Sequence, residues 1–217
     1  MLEALNSILS SYTIQSFYIL IGFCVLAYLV GSIPTGYIIV KAKTGQDIRQ
    51  VGSGSTGATN VKRVLGKKWF FIVMLLDAFK GALPVIIAKC TVSSGLLLDV
   101  LGIYAVASAV FVIIGHSKPL FLGFRGGKSV ASGVGTILAL SWLVGLSIAV
   151  IWGVITYISK YVSLGSIIAL SCSPFIMYFL NEPVAYVVYC AIAAVYIIYL
   201  HRENIVRLIK GAENKVR

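Results

Sequence analysis

A succession of apolar stretches constrains this chain more than any other feature. A helix needs about twenty consecutive apolar residues to cross about 30 Å of hydrocarbon. Runs of roughly that length cover residues 17–40, 69–88, 96–114, 162–180 and 183–200. The stretch 129–159 is too long for one span and fits two short or tilted ones, with a break near residues 139–142. The residues are 59% hydrophobic and only 12% charged, about half the charged share usual in soluble domains. A large soluble core would need polar faces between the apolar ones, and several of these runs have none. The expected fold is therefore all-α: a polytopic membrane protein with seven transmembrane helices. No internal repeat breaks the chain, so residues 1–217 read as a single membrane-embedded domain.

Charge placement orients the spans. Lys41, Lys43, Arg49, Lys62, Arg63, Lys67 and Lys68 fall in the segment after the first span. Lys118, Arg125 and Lys128 follow the third, Lys160 the fifth, and Arg202, Arg207, Lys210, Lys215 and Arg217 lie in the tail. Sixteen of the eighteen cations thus share one side of a seven-span arrangement. Lys80 lies inside a span and Lys89 near its other end, and Glu3, Asp99 and Glu182 lie opposite. The positive-inside rule makes the basic side cytoplasmic, so the N-terminus is expected outside and the C-terminus inside. The same bias accounts for much of the net charge of +11 without nucleic acid as a partner.

Residues 1–16 contain no Lys or Arg, which argues against a signal peptide. Leu2, Leu5, Ile8, Leu9 and Tyr12 recur at helical spacing, so a short helix in the outer interface is expected there. Cys24, Cys90, Cys172 and Cys190 lack metal-ligand spacing and read as small packing residues. Pro34, within Gly31-Ser32-Ile33-Pro34-Thr35-Gly36, permits a kink and close helix packing.

The polar chemistry gathers on the basic side. Gly52-Ser53-Gly54-Ser55-Thr56-Gly57-Ala58-Thr59-Asn60 has the composition of an anion nest: glycines that turn backbone N–H groups toward one point, then hydroxyls and an amide. Arg63 and Lys62 follow one helical turn later. The Gly52-x4-Gly57 spacing matches a Walker loop, but Ala58 stands where that motif needs Lys and no βαβ unit surrounds it. A phosphate nest of another kind remains, against the alternative of a plain flexible loop.

Three further clusters accompany it. Gly126-Gly127-Lys128 lets backbone approach a ligand and sets Lys128 at the start of a span; alternatively, Lys128 snorkels to headgroups, as Arg125 is expected to do. His116, nearby, reads as a structural hydrogen-bonding residue. Asp77 and Lys80 lie three apart on one face of the second span, where ionisable groups point to function or simply to each other. His201 and Asn204 share a face where the last span ends, and Ser163 and Ser166 lie at the start of another, as ligands or as helix-end groups.

Taken together, Gly52 to Asn60, Asp77-x-x-Lys80-Gly81, Gly115-His116-x-x-Pro119, Gly126-Gly127-Lys128 and His201-Arg202-Glu203-Asn204 resemble the bacterial membrane glycerol-3-phosphate acyltransferases that use acyl-phosphate as donor, the PlsY family. The resemblance runs in order through residues 31–204. It implies seven membrane helices with the N-terminus outside, and transfer of a fatty acyl chain from acyl-phosphate to the 1-hydroxyl of glycerol 3-phosphate, yielding lysophosphatidic acid and phosphate. That reaction belongs to phospholipid synthesis at the cytoplasmic side of the bacterial plasma (inner) membrane. The resemblance implies active-site roles for Ser53, Ser55, Thr59, Asn60, Arg63, Lys128, Ser166, His201 and Asn204. Gly54 lies within the same run. Family members commonly carry Asn at the fourth place of the glycine-rich run; Ser55 keeps a donor there on a shorter side chain.

The expected mechanism is substrate-assisted. The His-x4-Asp dyad of thioester-dependent acyltransferases is absent, since Phe121 and Val206 stand five residues beyond His116 and His201. The donor's own phosphate oxygen would accept the hydroxyl proton, and the protein would supply orientation and charge stabilisation. The nest of Ser53, Gly54, Ser55, Thr59 and Asn60 is expected to bind the donor phosphate, with Ser166 as a further substrate-binding residue. Lys128, Arg63, His201 and Asn204 are expected to hold glycerol 3-phosphate and the developing oxyanion, with neither metal nor cofactor. A general-base role for His201 is the enzymatic rival. A transporter of a phosphorylated anion is the alternative from another class, which Asp77 and Lys80 inside a span would suit.

Overall fold

The computed structural model describes residues 2–99 and 101–216, with side-chain surroundings from residue 14 onward. The described residues form helices joined by short loops. In chain order these are α1 (Leu2–Ser32), α2 (Thr35–Thr44), α3 (Ala58–Leu65), α4 (Lys67–Ser93), α5 (Ile103–Ser117), α6 (Val130–Leu140), α7 (Trp142–Ser159), α8 (Val162–Phe179), α9 (Val184–Leu200) and α10 (Arg202–Ile209). The interfacial face expected for the N-terminal segment rests on side chains of residues 1–13, which lie outside the described ones.

By length and apolarity five segments can cross a membrane: Ile14–Thr44, α4, the stretch Ile103–Leu122, α7 and α8. A sixth is added if α9 and α10, bent by 62° at His201, count as one. The remaining apolar helix, α6, has eleven residues and rises about 16 Å, roughly half of the hydrocarbon thickness. A count of seven thus depends on this half-length helix.

Local chemistry explains the boundaries. Pro34 supplies no N–H and disfavours helix at the residue before it, so α1 stops and α2 restarts behind it. The expected kink is a two-residue interruption, after which α2 continues the same candidate span. The third span was expected to start near residue 96, but α5 begins at Ile103. Asp99 sets that start, because its carboxylate accepts from Ile103 N at 2.7 Å and Tyr104 N at 2.9 Å. The break near residues 139–142 falls at Ser141, between α6 and α7.

Glycines let the helices touch. Gly31 of α1 lies on the Val112 backbone of α5, and Gly115 of α5 lies on Tyr28 of α1. Gly81 meets Ser132 while Gly135 meets Ala78, so α4 and α6 are in backbone contact. Further along, Lys89 Nζ donates to Ala139 O and Leu140 O, both at 3.0 Å. From Gly81–Ser132 to Lys89–Leu140 the contacts advance along both helices, so α4 and α6 run in the same direction. Lys89 also supplies donors to the carbonyl end of the short helix, where a cation is favoured.

The main core includes Val85, Val112, Ile137, Ile148, Leu170 and Tyr189. A smaller cluster of Val40, Ile48, Val61 and Val73 lies where α2, α3 and α4 meet. Large apolar side chains such as Phe17, Leu75, Phe79, Phe175, Val184 and Val195 point outward, as a bilayer environment requires. All four cysteines are free; Cys190 is buried, Cys24 and Cys172 are half-buried, and Cys90 is exposed.

Candidate active site

The glycine-rich run forms a compact loop between a short 3-10 turn (Ile48–Gln50) and α3. Gly52 has φ +63°, and a side chain there would strike Asn60 Oδ1, so glycine is required on both counts. Asn60, 1% exposed, organises the loop. Its Nδ2 donates to Val51 O and Ser55 O, both at 2.9 Å, and to Ile48 O at 3.2 Å. Its Oδ1 accepts from Ser53 N at 3.0 Å and from Arg63 Nη1 at 3.5 Å. The Asn60 amide is therefore spent inside the loop. Ser53 and Gly54 are exposed, Ser55 and Thr59 half-exposed, and Ser55 Oγ accepts from Gly57 N at 3.3 Å.

The second glycine loop folds back onto the end of α5. Gly126 N donates to Ser117 O at 3.2 Å and Gly127 N to His116 O at 3.1 Å. Gly127 lies against the His116 ring, and a side chain at that position would run into Nε2. Ser129, in the left-handed region at φ +59°, donates Oγ to Ile113 O at 2.7 Å and starts α6. Outer anchors come from Tyr28 OH to Lys118 O, Leu120 N to Ser32 Oγ and Arg49 Nη1 to Leu122 O. Arg125 is exposed, as expected.

This fold brings Lys128 to Asn204, whose Oδ1 accepts from Nζ. Asn204 Nδ2 donates to Glu213 Oε1 at 2.6 Å. Glu213 also accepts from Ser163 Oγ at 3.0 Å and from Arg207 Nε at 2.7 Å. Burial alone would raise the Glu213 carboxyl, but the hydrogen bonds from Asn204, Arg207 and Ser163 outweigh it and hold the group below its usual range. Burial, and next the Arg207 charge, lower the Lys128 ammonium; Glu213 and Glu203 oppose this, and the Arg63 charge also reaches it. His201 is 4% exposed, and its Nδ1 lies 2.8 Å from Ile197 O. A carbonyl only accepts, so Nδ1 carries the proton there and Nε2 is the nitrogen left for other work.

Lys128, just before α6, thus meets Asn204 of α10, and its charge reaches His201 at the α9–α10 bend, with Arg63 close enough to act through charge. Ser166 lies one turn deeper in α8; its hydroxyl donates to Val162 O at 2.8 Å and accepts from Trp152 Nε1 at 3.2 Å. Ser163, rather than Ser166, joins the cluster. The sequence reading missed Glu213, although an acid inside a basic tail was a usable signal. Among the described residues no three His, Cys, Asp or Glu side chains converge as a metal site.

Asp77 and Lys80 pair at 2.9 Å inside α4. They also reach outward: Thr35 Oγ1 donates to Asp77 Oδ1 at 2.5 Å, and Lys80 Nζ donates to Ile33 O at 2.7 Å. His116 Nδ1 lies 3.6 Å from Asp77 Oδ1 and 3.1 Å from Ser132 Oγ.

A chain of apolar helices that gathers two glycine loops and a cation cluster at one end fits a membrane enzyme acting on phosphorylated substrates. Residues 21–211 match the family described as glycerol-3-phosphate acyltransferase. The glycerol-3-phosphate acyltransferase of Trichormus variabilis is 42% identical over 202 residues, covering 88% of this chain and 89% of the relative. That of Gloeobacter violaceus is 41% identical over 197 residues, covering 90% and 94%. Among solved structures, the glycerol 3-phosphate form of PlsY, an integral membrane glycerol 3-phosphate acyltransferase, superposes with a TM-score of 0.83 at 39% identity, covering 91% of this chain and 96% of that one. The lysophosphatidic acid form gives 0.80 at 36%, covering 91% and 95%. The chain belongs to the glycerol-3-phosphate acyltransferase family, the PlsY family of integral membrane enzymes.

Proposed function

We propose that the protein transfers a fatty acyl group from acyl-phosphate to the 1-hydroxyl of glycerol 3-phosphate, at the cytoplasmic face of a bacterial plasma membrane. The observation that carries this reading is Lys128, at the end of the second glycine loop, bonded to Asn204 just beyond the His201 bend. Its neighbours of known structure, one in a glycerol 3-phosphate form and one in a lysophosphatidic acid form, supply the acceptor and the product. Both proposed substrates carry phosphate, and the site offers backbone N–H groups, Lys128 and Arg63 to bind it.

In this reading Ser53, Gly54, Ser55 and Thr59 face the donor phosphate while Asn60 holds their loop in shape. Lys128, Arg63, His201 and Asn204 orient glycerol 3-phosphate. Its hydroxyl oxygen attacks the acyl carbon, the carbon–oxygen bond to phosphate breaks, and phosphate leaves carrying the hydroxyl proton. The leaving group is already activated, so positioning and charge stabilisation do most of the work. Ser166 acts through packing of α8 behind Ser163.

The topology proposed with it has seven spans, N-terminus outside and C-terminus cytoplasmic. Sixteen cations on one side support it, and α6 serves as the short fourth span, running with α4. Asp77 and Lys80, the charges that would suit a transporter, are engaged with neighbouring helix ends instead.

The test is purified protein with glycerol 3-phosphate and either acyl-phosphate or an acyl thioester as donor. Lysophosphatidic acid and free phosphate formed from acyl-phosphate are expected. Product from the thioester alone would overturn the donor assignment.

A further inference from the structure

The buried Asp77–Lys80 pair takes no part in the proposed chemistry, yet Asp77 contacts a residue leading to each glycine loop, Thr35 and His116. Lys80 meets the carbonyl of Ile33, just past the C-terminal end of α1, and Asp77 meets Thr35, the first residue of α2. Each charge thus lies at the helix end whose dipole it complements. The pair bridges the interruption between α1 and α2.

From this point two branches leave. Along the first, Gly36, next to Thr35, lies on the backbone of Thr56 within the first glycine loop. Along the second, Asp77 faces the His116 ring, Ser132 holds the same ring nitrogen, and Gly127 packs on its far nitrogen. Asp77 is 1% exposed, Lys80 and His116 each 6%, so the junction is enclosed by the elements it links. Isolated ionisable groups inside a span are costly; this pair is retained with both charges engaged.

We infer that Asp77, Lys80, Thr35 and His116 are positioning residues, forming one junction that sets the first glycine loop (residues 52–60) against the second (residues 126–128). The catalytic significance of those loops rests on the acyl-transfer reading above. Their mechanical coupling to the junction does not.

The test uses the full chain in detergent. Asp77→Leu with Lys80→Met removes both charges at once, which avoids an unpaired buried ion and keeps the fold. Hydrogen exchange of the amides in both loops is then read without substrate. The expected result is exchange about tenfold faster in both loops, with thermal unfolding still cooperative. Unchanged exchange, or acceleration in at most one loop, overturns the inference. Two single variants test the branches if the pair variant does not fold. Thr35→Val is expected to loosen only residues 52–60, and His116→Phe only residues 126–128; any other pattern overturns the inference. Activity separates it from the reading it rests on. A loss of kcat/KM of about a hundredfold is expected for the pair variant. Loosened loops with full activity would refute the loops as the substrate site and leave the junction standing.

Discussion

Glu213 accepts the side-chain amide of Asn204 at 2.6 Å and thereby fixes which way that amide faces. With Nδ2 committed to the carboxylate, Oδ1 is the atom presented to Lys128. An acid from the C-terminal tail therefore decides the rotamer of a residue in the candidate site.

Glu213→Ala should lower kcat/KM by about tenfold or more, because Asn204, Arg207 and Ser163 each lose a partner. The pH dependence gives a sharper check. Glu213 titrates below 4.5, its ordinary value, so its stabilisation is complete above that pH and is lost as pH falls through the depressed value. The melting-temperature gap between wild type and Glu213→Gln should be full at neutral pH and should close below about 4.5. Thermal unfolding in detergent across that range measures it.

Lys128 is expected to bind its substrate as a cation. Burial and Arg207 lower its pKa, so the alkaline limb of the kcat/KM profile should fall below the usual lysine value of about 10.4. Lys128→Ala should cost roughly 10²–10³ in kcat. Lys128→Arg should move the alkaline limb upward, since guanidinium does not deprotonate in this range. Steady-state rates across pH for the three proteins provide the test, and a Lys128→Ala enzyme with near-normal turnover would remove Lys128 from the site.

Asn60→Ala strips three carbonyls of their donor and Ser53 N of its acceptor. The expected cost is about 1–3 kcal/mol, read as a lower melting temperature. The KM for acyl-phosphate should rise more than that for glycerol 3-phosphate, because the loop faces the donor in the proposed arrangement.

Lys89→Met leaves Ala139 O and Leu140 O without their donor at the end of the eleven-residue α6. A loss of about 1–3 kcal/mol is expected, equivalent to several degrees in a chain of this size. Both KM values should stay within about twofold, because a remote helix end bears on stability rather than on substrate contacts. A KM change without a stability change would contradict this.

The sequence by itself determined the membrane class, the ends of most spans and the order of the motifs. Hydropathy acts locally: a run such as Val184–Leu200 partitions into lipid whatever its neighbours do. Charge along the chain is equally local, and it is what supports the orientation proposed for the loops. Chain-local chemistry, such as Pro34 after Ile33, was legible too, whereas Asp99 was visible only as a charge and not as the cap that delays α5. Tertiary structure decided how the polar residues are used. Asn60 and Ser166, both expected to touch substrate, direct their hydrogen bonds inward. Glu213 reaches Ser163 across 50 positions, and Thr35 reaches Asp77 across 42. A hydrogen bond needs its partner within about 3 Å at a suitable angle, and which groups meet that condition is fixed only once the helices have packed.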